Sequence, residues 1–209
     1  MDQNKIDKQQ QGMAELSPEE MLQLRNKSVL AYVHDIAFLL AGMLLVFLLL
    51  FRVVVVSGSS MFGTLVDGDY VLLLNNVFYG QPKQGDIIVA SKESFRDGEP
   101  IIKRVIATEG QTVTIKNGVV SVDGVPIDEE YLDADVYTRG TLSDEPIHVT
   151  VEPGHVFCMG DNRPVSKDSR SDEIGQIDCR EIIGKAIFLF LPRDKQDETF
   201  DFSRFGVIS

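Results

Sequence analysis

The chain has 209 residues, 44% hydrophobic and 25% charged, which suits one ordinary folded domain plus an accessory segment and excludes a mostly disordered, collagen-like or disulfide-packed chain. The formal net charge is −12, and residues 57–209 carry 15 Lys/Arg against 26 Asp/Glu. A surface of that sign repels phosphate backbones, so the expected partners include no nucleic acid.

Residues 1–35 are polar and mildly acidic and read as a tail, with a Gln-rich stretch at Gln9 to Gln11 and a helix start at Ser17-Pro18-Glu19-Glu20. From Ile36 to Phe51 every residue is apolar or small, and after Arg52 the run resumes as Val53 to Val56. As a helix, the window 36–56 would be roughly 30 Å long, the thickness of a bilayer hydrocarbon core, and is expected to be one transmembrane helix. Arg52 lies close enough to its end for the stem to carry the charge to the headgroups. A buried core helix and a cleaved signal peptide are the competing readings. The second fits less well, because signal peptides put a shorter apolar run behind a short basic segment. Arg25 and Lys27 before the span against Arg52 after it give a weak positive-inside bias, so the N-terminus is expected to be cytoplasmic.

The stretch 57–209 has the size of one compact domain and a β-rich pattern. Expected strands are Tyr70 to Leu74, Asp86 to Ala90, Ile101 to Ala107, Thr112 to Lys116, Val119 to Val122, Ile147 to Val151, His155 to Met159 and Ile182 to Leu191, separated by Gly, Pro, Asp and Asn clusters. Asn117-Gly118 predicts a type I′ hairpin turn, and Asp123-Gly124 a second turn. Asp128 to Asp144 is expected to be a solvated loop, and the residues from Arg193 onward are expected to fray. The fold class is therefore mainly β: an all-β domain of antiparallel sheets hung from one N-terminal transmembrane helix.

Three segments of this domain carry candidate chemistry. Ser57-Gly58-Ser59-Ser60-Met61-Phe62-Gly63-Thr64-Leu65 follows the span; taken alone, it reads first as a flexible juxtamembrane linker. Pro100-Ile101-Ile102-Lys103-Arg104-Val105-Ile106 is an apolar strand with two cations inside it, Lys103 sharing a face with Ile101 and Val105, Arg104 with Ile102 and Ile106. A lysine on a core face loses hydration, which favours the neutral amine and suits it to act as a base. Met159-Gly160-Asp161-Asn162-Arg163 through Ser166, Asp168, Ser169 and Arg170 is dense in polar groups; its bland reading is a surface loop with Asx turns. His34, His148 and His155 fall in no catalytic or metal-ligand pattern, and no Cys-x-x-Cys occurs.

In this order, the segments resemble the type I signal peptidase family, membrane-anchored Ser/Lys proteases. The resemblance rests on Ser60-Met61-Phe62-Gly63-Thr64-Leu65 with Gly68-Asp69, Gly85-Asp86-Ile87-Ile88-Val89, Lys103-Arg104-Val105-Ile106 through Gly110, and the Gly160-Asp161-Asn162-Arg163 block. It implies a catalytic domain of coiled antiparallel sheets that removes N-terminal signal peptides from exported preproteins after small residues of Ala-x-Ala type, through an acyl-enzyme and without a metal or other cofactor. It also implies residue roles: Ser60 as nucleophile, Lys103 as general base, Ser166 as a hydroxyl orienting the lysine amine, Asp161 with Arg104 and Asp168 with Arg170 as supporting ion pairs. The Ser60 N–H would form part of the oxyanion hole. Where some members complete that hole with a serine hydroxyl, this chain has Gly58, and Ser57, Ser59 or a backbone N–H are the alternatives. Gly63 replaces the family's usual proline and loosens the turn behind the nucleophile. The implied layout is a cytoplasmic tail over 1–35, a span over 36–56 and an extracytoplasmic peptidase domain over 57–209, with preproteins and the lipid bilayer as partners. Met61 and Phe62 would either dip into the membrane interface or pack in the core. Cys158 and Cys179 would either form a disulfide, which the exterior compartment permits, or remain reduced thiols. The competing functions are a specialised single-substrate peptidase, or an inactive relative acting as a membrane-anchored binding domain.

Overall fold

The structure, a computed structural model, describes residues 17–92, 95, 98–133, 135–141, 145–194 and 199–208. The Gln9 to Gln11 run lies outside the described residues. Two compact units divide after Leu48.

Helix α1 (Pro18–Leu50) begins where Ser17-Pro18 predicts, with proline at its first position. Within it Val29–Leu50 is 22 residues long and apolar enough to cross a membrane, and none of it is buried. Leu39, Leu44 and Leu48 are each more than half exposed, which does not fit a helix at the centre of a soluble core.

The expected helix over 36–56 is corrected at its far end. Phe51–Val55 is strand β1, paired antiparallel with β2 (Tyr70–Asn75) from Phe51 opposite Leu74 to Val55 opposite Tyr70. Three consecutive valines pack better on a pleated surface than in a helix, and apolar content alone cannot separate the two.

The remaining elements are α2 (Asn76–Tyr79), β3 (Ile87–Ser91), β4 (Pro100–Thr108), β5 (Thr112–Lys116), β6 (Val119–Val122), β7 (Val125–Pro126), β8 (Ile147–Thr150), β9 (His155–Met159), β10 (Ile177–Asp178), β11 (Ile182–Leu191) and β12 (Gly206–Val207). One sheet runs β1-β2-β11-β3-β4-β9-β10 with β12 on β11; a second runs β7-β6-β5-β8. The pairings are antiparallel throughout. At the β5–β6 turn Asn117 and Gly118 both take positive φ, 53° and 81°, as a type I′ turn requires.

Strand β4 is the spine of the site. Ile102 belongs to a core with Met61, Leu65, Val71 and Leu73, Ile101 and Val105 to a second core with Cys158 and Ile177, and Ile106 to a third beneath β5 and β6. A strand covered on both faces forces its two cations to find partners inside the protein.

Two sequence expectations fail at the periphery. The 128–144 stretch is partly docked rather than solvated: Thr138 is buried and bridges Gly118, and Glu129 pairs with the buried Arg163. The segment from Arg193 is likewise tied down, because β12 adds to β11 and Arg204 pairs with the buried Asp69.

Candidate active site

The loop between β1 and β2 carries Ser60. It is closed at its base by Val56 N–H to Asp69 O at 2.8 Å and Gly68 N–H to Val56 O at 2.9 Å. Met61 and Leu65, both fully buried, plug the loop into the first core, while Phe62 stays 47% exposed. The two residues after Ser60 thus divide, one to the core and one to solvent. From the other side, Asn162 clamps the loop: its N–H donates to Ser60 O at 3.0 Å and its Nδ2 to Ser59 O at 2.9 Å.

Lys103 Nζ lies 2.7 Å from Ser60 Oγ and donates to Ile102 O at 2.8 Å. Lys103 is only 4% exposed. A hydroxyl and a buried amine at this separation can exchange a proton directly. They sit in a cleft of about 660 Å³ lined also by Val54, Val56, Val89 and Ile102.

Both expected ion pairs form. Arg104 makes a two-point contact with Asp161, Nε to Oδ1 at 3.0 Å and Nη2 to Oδ2 at 2.9 Å, and both side chains are almost wholly buried. Removing either partner would strand a buried charge, at a cost of about 3–5 kcal/mol. Arg170 holds Asp168 through Nε and Nη2, each at 2.8 Å, and Asp168 in turn accepts the Gly160 N–H at 3.0 Å.

Two expected contacts are absent. Ser166 Oγ is buried and makes no hydrogen bond among the described residues, while the Lys103 amine meets Ser60 Oγ and the Ile102 carbonyl. Gly58 has no side-chain donor, and its N–H is taken by Asp67 Oδ1 at 2.7 Å, so it is not free to serve an oxyanion hole. The Ser60 N–H makes no hydrogen bond among the described residues and remains available.

Cys158 and Cys179 are not bridged. The β9–β10 register explains why: Ile177 pairs with Val156 and the Cys179 N–H bonds Gly154 O, which leaves about 13 Å of strand between the cysteines, beyond the reach of a disulfide. Burial, then the nearby Asp168 carboxylate, pushes the Cys158 thiol pKa well up.

Sequence reasoning missed a second layer behind Arg104. Thr64 Oγ1 donates to Asp161 Oδ2 at 2.6 Å, and the Tyr131 ring lies 3.8 Å from the Arg104 guanidinium carbon. The Tyr131 hydroxyl accepts from Arg163 at 3.2 Å, and Arg163 also reaches Thr138. Two tyrosines in an otherwise acidic stretch, Tyr131 and Tyr137, were the available signal for this docking. His148 and His155 bond only Thr114 and the Pro153 carbonyl through Nδ1, and no cluster of three or more His, Cys, Asp or Glu occurs among the described residues.

Residues 29–191 match the family described as signal peptidase, peptidase S26. The chain is 36% identical over 181 residues to "Probable signal peptidase I-1" of Synechocystis sp., covering 81% of this chain and 88% of that one. It is 35% identical over 169 residues to signal peptidase I T of Bacillus subtilis, covering 78% and 85% of the two chains. A crystal structure of a signal peptidase I from Enterococcus faecalis V583 is 26% identical, with a TM-score of 0.42, over 51% of this chain and 97% of that one. The chain therefore belongs to the signal peptidase family, peptidase S26.

Proposed function

We propose that this chain removes signal peptides from exported preproteins with Ser60 as nucleophile and Lys103 as general base. The observation that carries the assignment is the 2.7 Å separation of Ser60 Oγ and Lys103 Nζ within the cleft. A serine hydroxyl is a weak nucleophile until a base takes its proton, and lysine is a base only as the free amine, the form that a dry setting favours. Lys103 takes the Ser60 proton as Oγ attacks the scissile carbonyl, then gives it to the departing amine of the mature protein. The signal peptide remains as an ester on Ser60. Water, deprotonated by the same amine, hydrolyses that ester and regenerates the hydroxyl. The free Ser60 N–H stabilises the oxyanion, a contribution of about 3 kcal/mol per donor.

The apolar cleft walls at Val54, Val56, Val89 and Ile102 suit small side chains next to the cut, as in Ala-x-Ala. Arg104–Asp161 and Asp168–Arg170 hold the flanking backbone. Ser166, buried against Gly160, fills the space beside the Ser60 carbonyl. Helix α1 crosses the cell membrane through Val29–Leu50, with the N-terminal tail cytoplasmic and the β-domain extracytoplasmic. The test is incubation of the detergent-solubilised chain with a preprotein bearing an Ala-x-Ala site, followed by sequencing of the new N-terminus. Cleavage directly after the second alanine is expected. An intact precursor, or cleavage unaffected by a bulky residue in place of that alanine, would overturn the reading.

A further inference from the structure

The segment after β11 lies beyond the family match, which ends at residue 191, yet it reaches back to the loop that carries Ser60. Asp69, fully buried at the base of that loop, is the meeting point. Its carboxylate accepts the Val66 N–H at 2.7 Å from within the loop and the Arg193 N–H at 2.7 Å from beyond β11. It also accepts Arg204 Nη1 at 3.1 Å and Nη2 at 2.8 Å. Arg204 Nη2 donates as well to Thr64 O at 3.1 Å, and Nη1 to Arg193 O at 2.8 Å. Arg204 is itself fixed: it ends a 3₁₀ turn, Phe202–Arg204, whose first residue follows the capping Asp201, and the adjacent Phe205 packs edge-on against Phe188 of β11 at 4.9 Å.

Thr64 links this brace to the reacting groups. Its hydroxyl bonds Asp161, which holds Arg104, the neighbour of Lys103 on β4. The residue before Thr64 is Gly63 at φ 110°, a conformation that proline, fixed near −65°, cannot take. The loop therefore has no side chain to stiffen it at the position adjacent to the carbonyl that Arg204 grips.

We propose that Arg204 is a positioning residue of the peptidase: its guanidinium, bridging the Asp69 carboxylate and the Thr64 carbonyl, fixes the Ser60 loop against Lys103. The proposal rests on the Ser60/Lys103 reading. A rigid planar fork can satisfy two acceptors at once, which a lysine point charge does less well.

The test compares the full chain with R204M and R204K in detergent, measuring kcat, KM, the pH dependence of kcat/KM and the melting temperature, at a temperature where near-ultraviolet circular dichroism reports every variant folded. In R204M kcat falls tenfold or more, KM stays within about twofold, and the acid limb of the pH profile moves, because the Ser60–Lys103 spacing has changed. R204K keeps a positive charge beside Asp69 and regains the melting temperature, but not the rate. Wild-type kcat in R204M overturns the proposal. So does a rate that recovers in R204K in step with melting temperature over an unmoved pH profile, which marks a structural role alone. An S60A control that still cleaves would refute the dyad itself and is read separately from the Arg204 variants.

Discussion

Gly160 is where the geometry makes its sharpest quantitative demand. A Cβ built on this residue would lie 2.4 Å from Ser60 O, 2.2 Å from Ser166 Oγ and 2.7 Å from Ser166 Cβ. Ordinary contact begins near 3.4 Å, so Gly160→Ala requires a shift of about 1 Å on both sides. The Ser166 hydroxyl can rotate away. The Ser60 carbonyl cannot yield without moving the main chain at Ser60 and stretching the 3.0 Å bond from the Asn162 N–H. A misplacement of about 1 Å costs on the order of 10²-fold in rate, and overpacking of this kind costs about 1–3 kcal/mol of stability. Steady-state cleavage of a fluorogenic peptide spanning an Ala-x-Ala site, run beside thermal unfolding, measures both. The double variant G160A/S166A removes the Oγ clash but keeps the contacts with Ser60 O and the residue-166 Cβ, so it recovers only part of the stability and not kcat. A folded G160A enzyme with kcat within threefold of wild type would refute the reasoning.

The Asp86 carboxylate gives a pH prediction. Burial alone would raise its pKa, but hydrogen bonds from Lys185, Tyr79 and the Lys83 N–H outweigh burial and hold it below the usual carboxylate value. A depressed folded-state pKa contributes stability above the unfolded value near 4 and loses it as pH falls through the lower folded one. The destabilisation caused by Asp86→Asn should therefore shrink as pH drops from about 5 to below 3, and parallel denaturation curves across that range would contradict it. Intact mass after alkylation under denaturing, nonreducing conditions should show both cysteines labelled, with Cys158 unlabelled in the native protein; a product two hydrogens lighter and unlabelled would mean a disulfide. Tyr131→Phe keeps the ring over Arg104 and should cost less stability than Tyr131→Leu, which forfeits about 0.5–2 kcal/mol of cation–π attraction; equal melting temperatures would remove that contact from the account.

The pairing of Lys103 and Arg104 inside the protein was legible because the local pattern is strong. Two cations inside a β-branched strand demand buried partners, and Lys103 and Arg104 find them on opposite faces of β4. The Asn117-Gly118 hairpin was equally readable from turn chemistry alone. What escaped depends on long-range pairing. Phe51–Val55 continues an apolar run without a break, and only its partner β2 makes it a strand. The Ser166 and Gly58 roles came from family pattern, and the features the structure shows there, a Ser166 Oγ unpartnered among the described residues and an Asp67 carboxylate on the Gly58 N–H, carry no sequence signature. Whether Cys158 and Cys179 are bridged was left open by sequence spacing, which does not encode the register that separates them. Arg204 sits in a tail whose polar composition reads as fraying, and its anchor Asp69 lies 135 positions earlier.

The central claim is that one buried amine takes the proton of one serine. Single-turnover cleavage of a preprotein by folded Ser60→Ala and Lys103→Met variants tests it most directly, since neither change enlarges the side chain it replaces. Each variant should lose at least about 10³-fold in rate while melting within a few degrees of the parent. Either variant cleaving within tenfold of the unaltered chain would contradict the account.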